Sequence, residues 1–140
     1  MRKTPTGKLE DGSGLMLDFG KIEKAANCRG LMPVALQDCD SGEVILVAYT
    51  NEPAFKKAIK TRRVVLWSAS RNELWEKGAT SGNSFDLIEV FVNCEQNSLL
   101  YRVRARNGGI CHTKNRAGRP RNCFYRRLDL KTGKLENLDP

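Results

Sequence analysis

Apolar residues come in short runs along this chain, and the period of the runs changes at sharp polar breaks. Leu31 to Asp38 and Glu43 to Thr50 each read as a strand, joined by a turn at Asp40-Ser41-Gly42. Within the second, Val44-Ile45-Leu46-Val47-Ala48-Tyr49 is apolar without interruption, which predicts burial on both faces. Asn51-Glu52-Pro53 opens a helix, with a capping Asn, an early acid and a Pro in the first turn. That helix runs to about Lys60, with Ala54, Phe55, Ala58 and Ile59 on its apolar face. Val64 to Ser68 reads as a further strand. Phe85 to Cys94 carries apolar residues on both alternating sets, Phe85, Leu87 and Phe91 against Ile88, Val90 and Val92, which predicts a long, mostly buried strand. Ser98 to Arg104 is its partner across a turn at Glu95-Gln96-Asn97. Phe124 to Leu128 forms a last strand, and Phe19 to Ala26 a short helix.

This order predicts an α+β fold: a mixed, mostly antiparallel sheet with short helices. A single domain is expected over residues 19–130, flanked by a polar N-terminal tail (1–18), mobile over the Gly-rich Met1 to Gly14, and a C-terminal tail (131–140) too short for a second domain. With 140 residues the chain is long enough to bury a real core. No internal repeat is evident.

Charge narrows the partners. The net charge is +8, with 24 Lys plus Arg, which calls for an anion: nucleic acid, or a small substrate with several phosphates. The cations are scattered from Lys56 to Arg127, with one cluster at Lys114, Arg116, Arg119 and Arg121, and for most of them a solvated surface is the better explanation. No apolar run reaches the roughly eighteen residues that a membrane helix needs. The opening Met1-Arg2-Lys3-Thr4-Pro5-Thr6-Gly7-Lys8 has no apolar segment behind it, so no secretory signal is expected and a cytoplasmic protein is. Five cysteines, none in a C-x-x-C pair, then point to reduced thiols and away from a disulfide framework.

Three of those cysteines and the chain's one histidine lie in the second half, in Asn93-Cys94-Glu95-Gln96-Asn97, Gly108-Gly109-Ile110-Cys111-His112-Thr113 and Arg121-Asn122-Cys123-Phe124-Tyr125. Three thiolates suit Zn²⁺ and leave a fourth position open for water, the arrangement of a catalytic site; structural zinc is normally closed by four ligands. A histidine beside a ligand suits proton transfer, because its pKa lies near neutrality. The alternative is that all three thiols are small core residues. Sixteen residues separate Cys94 from Cys111 and eleven separate Cys111 from Cys123, no standard zinc-finger spacing, and spacing alone leaves both readings open. Cys39, in Asp38-Cys39-Asp40, is explained by the hairpin turn that follows it, and neither it nor Cys28 is assigned a function. Trp67, Ser68, Ser70 and Arg71 lead into Lys77, Thr80 and Ser81; hydroxyls, glycines and cations this dense suit a phosphate cradle, and the two Trp residues belong either to the core or to a base-stacking surface.

Taken together, Trp67 to Asn83, the Cys94 turn, the Gly-Gly-Ile-Cys-His-Thr loop and the Cys-Phe-Tyr-Arg ending resemble phosphoribosyl-AMP cyclohydrolase, the ring-opening enzyme of histidine biosynthesis. Gly30-Leu31-Met32-Pro33, Gln37-Asp38 and Ala48-Tyr49-Thr50-Asn51-Glu52 match as well, so the resemblance runs from about Gly30 to Leu128 in the family's order. It implies a homodimer whose zinc site is built from both subunits, with Cys94, Cys111 and Cys123 as ligands and His112 as the adjacent catalytic histidine. It implies binding of a phosphorylated purine nucleotide by Trp67, Ser68, Ser70, Arg71, Lys77, Thr80 and Ser81, with Arg71 and Lys77 on the phosphates. The family's Mg²⁺ site lies on an Asp-Cys-Asp-x-Asp turn, which here reads Asn93-Cys94-Glu95-Gln96-Asn97. One carboxylate and two amides are a weak set for a hard cation, so weak Mg²⁺ binding is expected. Two further departures are Glu76, where the family often has a base, and a longer basic loop from Lys114 to Arg121.

The implied chemistry is coherent. Alkylation at N1 makes a purine ring electron-poor, so water adds at C6 and the N1–C6 bond breaks, in the manner of zinc deaminases but with the leaving nitrogen kept in the product. Zinc lowers the pKa of a bound water to about 7, and His112 would carry the proton to the departing nitrogen. A related hydrolase for another purine nucleotide is the nearest alternative. A zinc-stabilised nucleic-acid-binding module fits the charge but not the unpaired cysteine spacing or the scattered cations.

Overall fold

The computed structural model describes residues 8–17, 30–77, 84–106 and 113–140. The expected helix over Phe19 to Ala26 lies outside them. Among the described residues are two helices and eight strands: α1 (Lys8–Asp11), β1 (Met32–Asp38), β2 (Val44–Thr50), α2 (Glu52–Thr61), β3 (Val65–Ser68), β4 (Glu73–Glu76), β5 (Phe85–Val92), β6 (Leu99–Ala105), β7 (Arg126–Leu128) and β8 (Leu135–Asn137). No helix among the described residues is long and apolar enough to cross a membrane.

Six strands form one sheet in the order β4-β3-β2-β1-β6-β5, and β7 and β8 form a separate hairpin. Among the described strands only β1 and β6 run parallel; the other pairings are antiparallel. The expected mixed, mostly antiparallel α+β architecture is therefore observed. An isolated bridge from Arg63 to Asp86 ties the start of β3 to the start of β5 and curls the sheet towards closure.

The cross-strand rows show where the core lies. Leu46, Leu36, Tyr101 and Val90 are neighbours across four strands, and Ala48, Val34, Leu99 and Val92 form the next row on that face. Val34, Leu36, Tyr101 and Val103 are buried there, with Ala54 and Ala58 of α2 packed into the same cluster. Helix α2 begins as its sequence dictates: the side chain of Asn51 accepts from the Ala54 amide at 3.0 Å, and Pro53 occupies the first turn. It ends at Arg62, whose left-handed φ of 57° lets its N–H reach the Ala58 carbonyl.

The other face departs from expectation. Val47, Ala35, Leu100 and Phe91 form a row across the same four strands, and Val47 is 55% and Phe91 47% exposed. Neither β2 nor β5 is buried on both faces. Ala54 and Ala58 of α2 pack into the cluster on the opposite face, and periodicity cannot show which face a helix covers. β4 was not anticipated, because Glu73-Leu74-Trp75-Glu76 is too short and charged to stand out. Nor was β8, in the expected C-terminal tail. Part of the expected N-terminal tail is also packed: Leu135 donates to the Ser13 carbonyl at 2.7 Å, and Asp11 pairs with Arg121 at 2.8 Å.

Candidate active site

Cys94 sits in the turn between β5 and β6. Asn93 Oδ1 accepts from the amides of Asn97 and Ser98, both at 2.9 Å, and Asn93 Nδ2 donates to Asn97 Oδ1. Asn97 Nδ2 donates to Glu95 Oε2 at 3.3 Å. Gln96 takes a left-handed φ of 55° to close the turn. The two amides thus spend their oxygens on the turn itself. Cys94 is exposed.

Beside this turn lies a cavity of about 330 Å³, lined by Met32, Thr50, Asn51, Glu52, Phe55 and Gln96 among others. Hydrogen bonding to Lys56 lowers the pKa of Glu52, so this rim carboxylate is ionised at neutral pH. None of these lining residues was singled out as a site residue from the sequence. The signal was present in the Ala48-Tyr49-Thr50-Asn51-Glu52 segment, but helix capping accounts for it equally well.

Cys123 is also an exposed thiol, in the segment leading to β7. Its neighbour Asn122 donates to the carbonyl of Val44, the first residue of β2, at 3.3 Å. Cys94 lies beyond the level of Ala48 on the same strand, through the register Val92, Leu99, Val34, Ala48. At about 3.3 Å per residue, the Val44 end of β2 and the level of Cys94 are on the order of 15 Å apart along the strand. Among the described residues the only clustered potential ligands are Asp38, Cys39 and Asp40. There Asp38 accepts from the Ser41 amide at 2.9 Å and Asp40 is held by Arg104 through two bonds of 3.1 Å, so turn geometry accounts for the cluster. Cys28, Cys111, His112, Thr80 and Ser81 lie outside the described residues.

The expected phosphate cradle is divided. Ser68 Oγ accepts from the amide and Nε of Arg71 at 3.2 and 3.3 Å, and lies 3.3 Å from Ser70 Oγ, at the β3–β4 turn. Asn72 closes that turn with a left-handed φ of 52°. Arg71 is exposed and also lies 3.5 Å from Glu73. Lys77 is at the other end of the hairpin, buried, its ammonium 5.2 Å from the Phe85 ring centre. Trp67 pairs with Tyr49 and is half-buried between these ends. Ser68, Ser70 and Arg71 therefore form one group and Lys77 stands apart.

A family model for phosphoribosyl-AMP cyclohydrolase matches residues 46–125, which include Cys94, both ends of the Lys114 to Arg121 loop and Cys123. The chain belongs to the phosphoribosyl-AMP cyclohydrolase family. It is 42% identical over 124 residues to the phosphoribosyl-AMP cyclohydrolase of Halobacterium salinarum, covering 89% of this chain and 92% of that protein. Against the enzyme of the same name from Archaeoglobus fulgidus it is 45% identical over 101 residues, 72% of this chain and 88% of the other. The histidine biosynthesis bifunctional protein HisIE of Aquifex aeolicus is 41% identical over 114 residues, 81% of this chain but 52% of that longer protein.

Proposed function

We propose that this protein hydrolyses the N1–C6 bond of the purine ring of 1-(5-phosphoribosyl)-AMP, a step of histidine biosynthesis, as a cytoplasmic enzyme. The observation that carries this is the family match across Cys94 and Cys123, with relatives of that activity aligned over most of both chains.

The active unit in this reading is a homodimer, with zinc held by Cys94 of one protomer and Cys111 and Cys123 of the other. Two observations support it. Cys94 and Cys123 are exposed thiols placed at opposite levels of the sheet, which suits a site whose remaining donors come from a partner chain. Val47 and Phe91, at the two ends of the apolar row through Ala35 and Leu100, are exposed, which suits burial against a second copy. When bound, zinc would supply an activated water and polarise the ring. The chain's residues do the rest. His112, next to Cys111, moves a proton from the attacking water to the departing N1. The cavity beside the Cys94 turn takes the nucleotide, Phe55 and Met32 offering apolar contact and Gln96 an amide to a heterocycle edge. Ser68, Ser70 and Arg71 bind one phosphate group, with Thr80 and Ser81 in the following segment. Buried Lys77 contributes charge to the site and does not grip the same phosphate as Arg71.

Incubating the purified protein with phosphoribosyl-AMP and following ring opening by absorbance tests this reading. Turnover with zinc near one equivalent per chain is the expected result. No ring opening by zinc-loaded dimer would overturn it.

A further inference from the structure

Arg121 is the largest fully buried side chain among the described residues, and the chemistry above makes no use of it. Its Nη1 donates to Asp11 Oδ1 at 2.8 Å and lies 3.5 Å from the Asp139 carbonyl. Its Nε donates to Thr113 Oγ1 at 3.3 Å, and its backbone N–H to the Thr113 carbonyl at 3.2 Å. The guanidinium stacks 3.8 Å from the centre of the Tyr125 ring, and the Tyr125 hydroxyl donates to the Glu10 carbonyl. The N-terminal segment at Asp11, the stretch 113–125 and Asp139 near the C-terminus meet on this one cation.

A buried ion pair is a poor device for stability alone, since desolvation offsets most of the attraction. A guanidinium does what an apolar side chain cannot: its planar fork fixes direction as well as contact. Here the directions matter. Thr113 follows Cys111 and His112 directly, and Arg121 stands two residues before Cys123. Between them Lys114 bridges Pro120, and Asn115 accepts from the Arg119 amide at 2.8 Å, so the longer basic loop folds into its own small hairpin. The two bonds from Arg121 to Thr113 close the base of that hairpin. They hold Thr113 beside Arg121 across the loop, and Asp11 anchors the closure to the N-terminal segment.

We propose that Arg121, paired with Asp11, is a positioning residue that holds Thr113 against the segment leading into Cys123 and so orders the proposed zinc donor Cys123. This rests on the zinc reading above, and the test separates the two. Full-length Asp11→Asn, Arg121→Met and Arg121→Lys are compared with the parent. Zinc affinity is measured by competition with a chromophoric chelator, kcat and KM by ring opening, and amide hydrogen exchange over residues 8–13 and 113–125. Arg121→Met and Asp11→Asn should weaken zinc by about 10–100-fold, as loss of an outer-shell partner does. They should lower kcat with KM nearly unchanged, and raise exchange in both segments together while β1 and β6 stay protected. Arg121→Lys should recover part of each loss. Zinc affinity and kcat within about twofold of the parent in Asp11→Asn, despite faster exchange, would reduce the pair to a structural contact. Unchanged exchange over 113–125 in Asp11→Asn would show that the segments are not coupled, and would overturn the proposal. If Arg121→Met does not fold, Asp11→Asn decides, since that acid is one-third exposed. A parent that binds no zinc refutes the metal reading, and kcat with coupled exchange then decides the positioning role.

Discussion

The six-stranded sheet and the region around Arg121 hold together in opposite ways. In the sheet, Val34, Leu36, Phe85, Tyr101 and Val103 are buried against one another and α2, and the stabilisation is burial without direction. Around Arg121 the largest buried group is charged, while Leu128, Leu130 and Leu138 of the nearby hairpin remain exposed. There the order comes from hydrogen bonds with fixed angles. A core of the first kind tolerates a change of shape at some loss of stability. A junction of the second kind loses its geometry when one partner goes, even if the fold survives.

The largest effect should come from the thiols that lie in the two regions. Cys94→Ala, in the sheet's turn, and Cys123→Ala, beside the junction, should each abolish zinc binding and ring opening. Cys28→Ala and Cys39→Ala should do neither. Mixing refolded Cys94→Ala and Cys123→Ala chains should restore roughly one quarter of parent activity, because half the dimers are mixed and each carries one complete site. No recovery in verified heterodimers would break the two-chain reading. His112→Asn should keep its zinc and lose about 10²–10⁴-fold in kcat, the usual worth of acid–base catalysis; zinc loss instead would make His112 a ligand.

Phe85→Ala probes the sheet alone. It should cost about 3–5 kcal/mol in denaturant unfolding, yet leave zinc affinity per folded molecule unchanged. Asn51→Ala removes the cap of α2 and should cost about 1 kcal/mol by the same measurement. The smallest effect is electrostatic and has one member in each region. The Asp40 pKa is lowered chiefly by its hydrogen bond to Arg104, and that of Asp129 by the backbone amides of Lys131 and Thr132. A carboxylate with a lowered folded pKa stabilises fully above its ordinary value of 3.8 and loses that contribution as pH falls through the folded value. Melting temperature should therefore fall more steeply below that pH in the parent than in Asp40→Asn or Asp129→Asn.

What could be read from the sequence follows the same division. Strands β1, β2, β3, β5 and β6 and helix α2 were legible, because apolar period and capping chemistry are local signals. The uncovered face was not, since Val47 and Phe91 look like core residues until the position of α2 is known. Cys94 and Cys123 stand out in the sequence by residue type, but the level of the sheet at which each lies is a property of register. Arg121 was read as one more cation in a basic cluster. Nothing local to it announces a partner at Asp11, 110 positions away in the chain.

That separation also sets an order in time. The hairpins β1–β2, β3–β4 and β5–β6 join near neighbours, and each needs only a short loop to close. The β1–β6 pairing, such as Val34 with Leu99, needs most of the sheet to have been made. Asp11 must wait longer still. During synthesis at about 5–20 residues per second, the N-terminal segment spends several seconds without its partner while the sheet is already assembling. The Asp11–Arg121 contact therefore cannot form until Arg121 has been made, after all six strands of the sheet.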